Sequence, residues 1–326
     1  MAIRGESVPV SGPWHHVMAL LTAALLMAFC WSFLRLPEGN LLMVAFCFLS
    51  ASSLYNIPDG RKRFGLLLFM AFSAASLQFL IGICHEEKFL LVLLPALTAA
   101  AVLRFLPGKG IACSMCIAGY LAFFAPGGWQ PAVDRAFGII LFGIPAVLLA
   151  TAVFHSYLPE KIGFYDRFST SDSLLLAFLL GVGTWLSKAL KMGQGPWIML
   201  TILFICQFCC GTNRYAKASV DRTFAVPLGL LLGGLFLGCL AFFNYRFIYL
   251  LFPFGAFSFY QLNRNGDFFR FTVFFMMAFS IYADWSTGDI RRFHFAELLV
   301  QRSIATLIGS VFMILYENLR KGEENA

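Results

Sequence analysis

Apolar runs long enough to cross a bilayer recur from one end of this chain to the other, and no other feature constrains its fold as strongly. A helix needs roughly twenty apolar residues to traverse about 30 Å of hydrocarbon. The composition agrees: 60% of residues are hydrophobic and 13% charged, where a soluble domain carries about a quarter charged. A single soluble core of a 326-residue chain would not need spanning runs along its whole length. The stretches between runs are too short for a second, soluble domain. The expectation is one all-α membrane domain.

Reading the runs against charged and Pro/Gly breaks gives about twelve transmembrane helices. Six lie at 14–34, 41–55, 64–83, 89–103, 111–124 and 136–154, and six at 173–190, 197–211, 223–243, 247–260, 271–282 and 296–316. Residues 1–155 form a first half, the polar stretch 156–172 a cytoplasmic linker, and 173–326 a second half. The run starting at Val17 lacks small-residue cleavage spacing before Arg35-Leu36-Pro37-Glu38, so it reads as a retained span. With the N-terminus in the cytoplasm, fifteen of the 24 lysines and arginines fall in cytoplasmic positions. Arg61, Lys62, Arg104, Lys109, Arg214, Lys217, Arg320 and Lys321 are among them. Lysine and arginine bias toward the cytoplasm sets orientation, which here favours both termini inside. Trp31, Trp129, Trp185, Trp197 and Trp285 then collect near the outer boundary, where tryptophan is favoured.

The net charge of +7 would suggest nucleic acid in a soluble protein. Here it resides in short loops, and nucleic-acid binding is not expected. The nine cysteines lie in or at the ends of apolar runs, unlike a secreted disulfide framework. Cys113 with Cys116 and Cys206 with Cys209 have Cys-x-x-Cys spacing, but no histidine or acid lies close in sequence. They read as small residues packing between spans, and no metal or cofactor is expected. There is no phosphate-binding P-loop and no hydrolase signature, so enzymatic activity is not expected.

The two halves look like copies. Phe89-Leu-Leu-Val-Leu-Leu-Pro95 parallels Phe247-Ile-Tyr-Leu-Leu-Phe-Pro253, and the basic loop at Arg61 to Arg63 parallels Arg214 through Arg222. Six-span copies share one orientation, related by an axis along the membrane normal. Within the second half, Arg222 precedes Gly229 by seven residues, and Arg302 precedes Gly309 by the same interval. Both arginines read as opening a span, one from each side, as inverted triplets would.

The segment Gly195-Pro-Trp197-Ile-Met-Leu-Thr201, followed by Gln207, Gly211, Arg214, Lys217 and Arg222 with Gly229, resembles the fusaric-acid-resistance-like family. Arg302-Ser-Ile-Ala-Thr306-Leu-Ile-Gly309 resembles that family's Arg-x-x-Gly-Thr-x-x-Gly element with Ala305 for the first glycine. Arg222-Thr-Phe-Ala-Val-Pro227-Leu-Gly229 departs further, with Val226 for threonine and Pro227 in an unusual place. The resemblance covers roughly 190–316. It implies a compact member without the family's cytoplasmic domain: a multi-pass inner-membrane exporter of small organic, in the first place aromatic, acids. It further implies a periplasmic adaptor as partner and similarity to plant aluminium-activated malate transporters.

Arginines at span ends admit two readings. They can snorkel while Gly229, Gly233 and Gly309 let helices approach, or they can face a central path and bind a carboxylate through the guanidinium fork. Trp185, Lys188, Lys191 and Trp197 group at the outer end of two consecutive spans, as an interfacial belt or as an aromatic-acid site. Arg270 and Asp284 sit at opposite ends of one span, and Asp284 is the carboxylate best placed for proton coupling. The leading expectation is a proton-coupled exporter of a small organic anion, with lipid, an adaptor and a second copy of the chain as further partners. The alternatives are a passive organic-anion channel and a non-transporting subunit that anchors the adaptor.

Overall fold

The computed structural model describes residues 60–125, 127–144, 167–209, 214–242, 267–286 and 295–324, which are helical or connecting and include no strand. The expected spans at 14–34, 41–55 and 247–260, and most of the linker, lie outside the described residues. The described α-helices are α1 (Gly60–Ile83), α2 (Lys88–Phe105), α3 (Lys109–Tyr120), α4 (Trp129–Gly138), α5 (Thr170–Ala189), α6 (Trp197–Cys209), α7 (Tyr215–Phe242), α8 (Phe268–Ser286) and α9 (Phe295–Glu324). Among the described residues, five segments are long and apolar enough to cross a membrane: Phe64–Ile83, Lys88–Phe105, Thr170–Ala189, Tyr215–Phe236 and Glu297–Lys321. The chain is therefore a multi-pass α-helical membrane protein.

Of the described helices too short to cross alone, two lie at the centre. α3 has 12 residues and α6 has 13, a rise of about 18–20 Å. Both are enclosed by protein rather than lipid. Every residue of α3 from Ile111 to Tyr120 is buried, as is every residue of α6 from Trp197 to Cys206. The pair is joined by Gln207, whose amide donates to Ser114 Oγ at 2.6 Å. Around this centre α6 touches α3, α5, α7 and α9. The long helices turn bulky apolar side chains outward, among them Phe72, Phe178, Phe224 and Leu235. Such a surface suits hydrocarbon and not water.

Helix directions follow from matched contacts. Gly229 faces Val273 and Met276, and Gly233 faces Met277, so α7 and α8 run parallel in one register. Gly309 lies on Ile198 and Thr201 while Arg302 lies over Trp197, so α9 and α6 are parallel too. By contrast Tyr316 meets Tyr215, and Glu317 accepts from the Ala216 amide, so α9 runs against α7. At the same end α5 begins, its Asp172 accepting from the Tyr316 hydroxyl at 2.7 Å, and α2 finishes, with Arg104 donating to Thr170. The two sets of loop cations read from the sequence separate accordingly. Arg104, Lys109, Lys217, Arg270, Arg320 and Lys321 share this basic end, whereas Lys88, Arg135, Lys188, Lys191 and Arg302 are at the other.

Several boundaries differ from expectation. α7 starts at Tyr215, eight residues before the expected 223, so Arg222 is the eighth residue of its helix and does not open it. Arg302 likewise is the eighth residue of α9. Each guanidinium is thus carried about 10 Å inward along the helix axis. Lys217 and Asp221 caused the misreading: they resemble loop residues but occupy the outer turn of a longer helix. α4 starts at Trp129, ahead of the expected 136, and passes into a π turn at Ile139–Gly143. α3 tightens into a 3-10 turn at Leu121–Phe124. Prolines interrupt the bonding of α2 at Pro95 and of α7 at Pro227.

A β-carbon added at Gly229 would lie 2.5 Å from the Val273 carbonyl oxygen, which is backbone and cannot swing aside. Gly229→Ala should therefore push α8 away and cost about 1–3 kcal/mol. Gly65→Ala, with nothing within 4 Å of the new carbon, should hold or raise stability. Thermal unfolding of the two purified variants in detergent measures the contrast.

Candidate substrate site

Arg222 is fully buried, with its guanidinium carbon 4.7 Å from the centre of the Phe204 ring on α6. Its Nε, Nη1 and Nη2 atoms have no hydrogen-bond partner among the described residues. The ring beneath attracts the cation, yet it supplies no hydrogen-bond acceptor to the three nitrogens. Phe204 belongs to a ring cluster from α6 and α8: Phe275 stands against it at 5.5 Å, and Phe208 packs on Phe271 at 4.7 Å. On the same group of helices the hydroxyls of Thr201, Thr272, Thr306 and Ser310 are buried and likewise unmatched. A buried cation without hydrogen bonds is costly, and Arg222 keeps unused donor capacity for an acceptor.

The second arginine is held differently. Arg302 is 4% exposed and lies 5.0 Å above the Trp197 ring. Its Nε donates to Gln194 Oε1 at 2.9 Å, and the Trp197 indole N–H donates to the same oxygen at 3.0 Å. Gln301 Oε1 in turn accepts from the Gln194 amide at 3.1 Å. Trp197 and Phe204 are seven residues apart, so α6 carries the rings under both arginines, spaced by about two helical turns.

The other sequence candidates are dispersed. Trp197, expected in an interfacial belt, is fully buried because Arg302 covers it and Gln194 binds its N–H. Trp185 is 58% exposed, and Lys188 and Lys191 are exposed too; they do not form one pocket with Trp197. Arg270 is exposed at the start of α8, paired within its own turn to Asp267 at 3.2 Å, so it does not point inward. Asp284 lies in the last turn of α8, with its side chain outside the described residues. Gly229, Gly233 and Gly309 all meet a neighbouring helix closely, as packing glycines should.

Sequence reasoning missed Gln194, the tie from Tyr316 to Asp172, and the buried Arg135. Gln194 has a readable signal, a single amide between Gly193 and Gly195 ahead of the tryptophan. Arg135 was counted only as a loop charge, because α4 was started too late.

Residues 176–316 match the family model described as fusaric acid resistance protein-like. That segment, less than half of the chain, is similar to the fusaric acid resistance protein-like family. No curated protein and no solved structure matches it. The family segment runs from within α5 to Tyr316 and so contains both arginines, both rings beneath them and Gln194.

Outside the family segment, His85 sits between α1 and α2 with its ring packed over Gly127. Burial, aided by Lys188 and Arg135 and opposed by Glu86, holds its pKa below the ordinary histidine value. The unfolded chain then takes up a proton first as pH falls. The contribution of a neutral His85 is present above pH ~6.5 and is lost as pH falls through the lowered folded value. His85→Asn should flatten the decline in melting temperature between about pH 7 and 5, measured in detergent.

Proposed function

We propose that this protein is an inner-membrane transporter exporting small organic acids, aromatic ones foremost, with Arg222 as the group that binds the carboxylate in transit. The observation that carries this reading is a fully buried guanidinium over the Phe204 ring whose three nitrogens have no hydrogen-bond partner among the described residues. Its fork geometry suits two carboxylate oxygens at once. The surrounding rings of Phe204, Phe208, Phe271 and Phe275 supply an apolar wall for the rest of an aryl acid. Arg302, on α9 and over Trp197, is a second cationic position beside the same short helix, α6.

The architecture proposed for the whole chain is about twelve spans in two six-span halves with both termini in the cytoplasm. In its favour, α1 packs on α3 and α4 much as α7 packs on α8 and α9, the positions that such a repeat equates. The grouping of basic residues at one end favours that end as cytoplasmic. Proton coupling through Asp284 and partnership with a periplasmic adaptor complete the proposal; both come from sequence and family resemblance.

Replacing Arg222 with Gln should leave the protein folded in the membrane and lower its affinity for benzoate by about thirtyfold or more, the expected loss for one partner of a buried charge pair. Arg222→Lys, which keeps the charge but loses the fork, should fall between. Counterflow of labelled benzoate in proteoliposomes, with and without an imposed pH gradient, reads both variants and tests coupling. Unchanged transport by Arg222→Gln would remove Arg222 from the path.

A further inference from the structure

We propose that Gln194 is a built-in stand-in for a substrate carboxylate at Arg302, occupying that position until an organic anion displaces it. This rests on the reading of the chain as an organic-acid transporter, and it assigns a second binding station and its gate.

The Gln194 carboxamide oxygen accepts from Arg302 Nε and Trp197 Nε1 together, at 2.9 and 3.0 Å. A guanidinium and an indole converging on one oxygen are the donor set for a carboxylate, with the Trp197 ring beneath as a platform. A neutral amide oxygen is the weaker ligand, since it brings the guanidinium no opposite charge, whereas a carboxylate adds the ion-pair attraction and a second oxygen for the fork. An incoming carboxylate therefore outcompetes the amide while keeping both donors satisfied.

The loop bearing Gln194 does not depend on that side-chain contact. Its backbone is closed by Met192 donating to the Ser187 carbonyl, Gly195 to the Met192 carbonyl, and Trp197 to the Gln194 carbonyl. The Gln194 amide is held separately by Gln301. Gly195 presses against Ser187, where a β-carbon would collide, and Gly193 against Gln301. The loop is thus anchored on α5 and α9, and the carboxamide is free to leave Arg302 without unfolding it. Release would bare Arg302 at the end of α6 opposite the basic end, two turns from the Arg222 position.

Two substitutions separate a displaceable stand-in from a structural strut. Gln194→Ala empties the station, so benzoate should bind about two- to tenfold more tightly, the worth of one competing hydrogen bond. Gln194→Glu places a permanent carboxylate on Arg302, so benzoate binding there should be lost. A strut predicts the reverse order: Glu would hold both donors and behave like the parent, while Ala would bind more weakly. Benzoate titration of the purified protein in detergent, followed by tryptophan fluorescence, is the measurement. Benzamide serves as the neutral control, and Trp197→Phe identifies the signal. A benzoate-dependent change absent with benzamide, strengthened in Gln194→Ala and lost in Gln194→Glu, supports the proposal. The reverse order, or no benzoate response in the parent protein, overturns it. Failure of the transport reading appears separately, as unimpaired counterflow by Arg222→Gln.

Discussion

A guanidinium cannot be abandoned in a membrane interior, and the second half of this protein is arranged around that constraint. Arg222 and Arg302 each stand eight residues into a long helix, too deep for easy escape to the interface. What receives them is one short helix, α6, with a ring below each guanidinium. α6 can provide this only because protein, not lipid, surrounds it. The burial of a 13-residue helix and the burial of two cations are therefore one arrangement.

Packing glycines set the distances on which that arrangement depends. Gly309 lets α9 lie directly on the backbone of α6 at Ile198, and Gly229 with Gly233 lets α7 lie on α8. At the basic end, polar ties hold the same helices. Tyr316 and Arg320 bind Asp172 at the start of α5, and Glu317 accepts from the first turn of α7. A helix start has unsatisfied N–H groups; here a carboxylate from a distant helix meets one. Close backbone contact in the middle and charge-assisted ties at the end hold the frame in which, among the described residues, the three nitrogens of Arg222 have no hydrogen-bond partner.

Much of this was legible in the sequence because hydropathy is a statement about solvent. Apolar runs located α1, α2, α5 and α6 to within a few residues, and the repeated Arg-x6-Gly interval pointed to the two buried cations. What hydropathy could not reveal was depth. Lys217 and Asp221 look like loop residues, yet a helix extending past the hydrocarbon boundary carries such residues on its outer turns. Moving the start of α7 back by eight positions changes Arg222 from a snorkelling end-cap into an interior group. Trp197 misled for a related reason: tryptophan at a span end usually means an interface, but here a neighbouring arginine covers it. Gln194 was invisible to any rule based on charge, since its role comes from two donors brought together from different helices.

Pro227 lies between Arg222 and Gly229 on α7. Lacking an N–H, it leaves the Thr223 carbonyl without its helical partner, so bending there costs less than elsewhere on the helix. Beyond it, Gly229 and Gly233 fasten α7 to α8; before it, Ala216 donates to Glu317 of α9 and Tyr215 packs on Tyr316. The helix is thus held to α8 on one side of a compliant joint and to α9 on the other. Flexure at that joint would swing the α9-tied segment that carries Arg222 against the α7–α8 pair, so a single missing backbone bond acts on a cation about one and a half turns away.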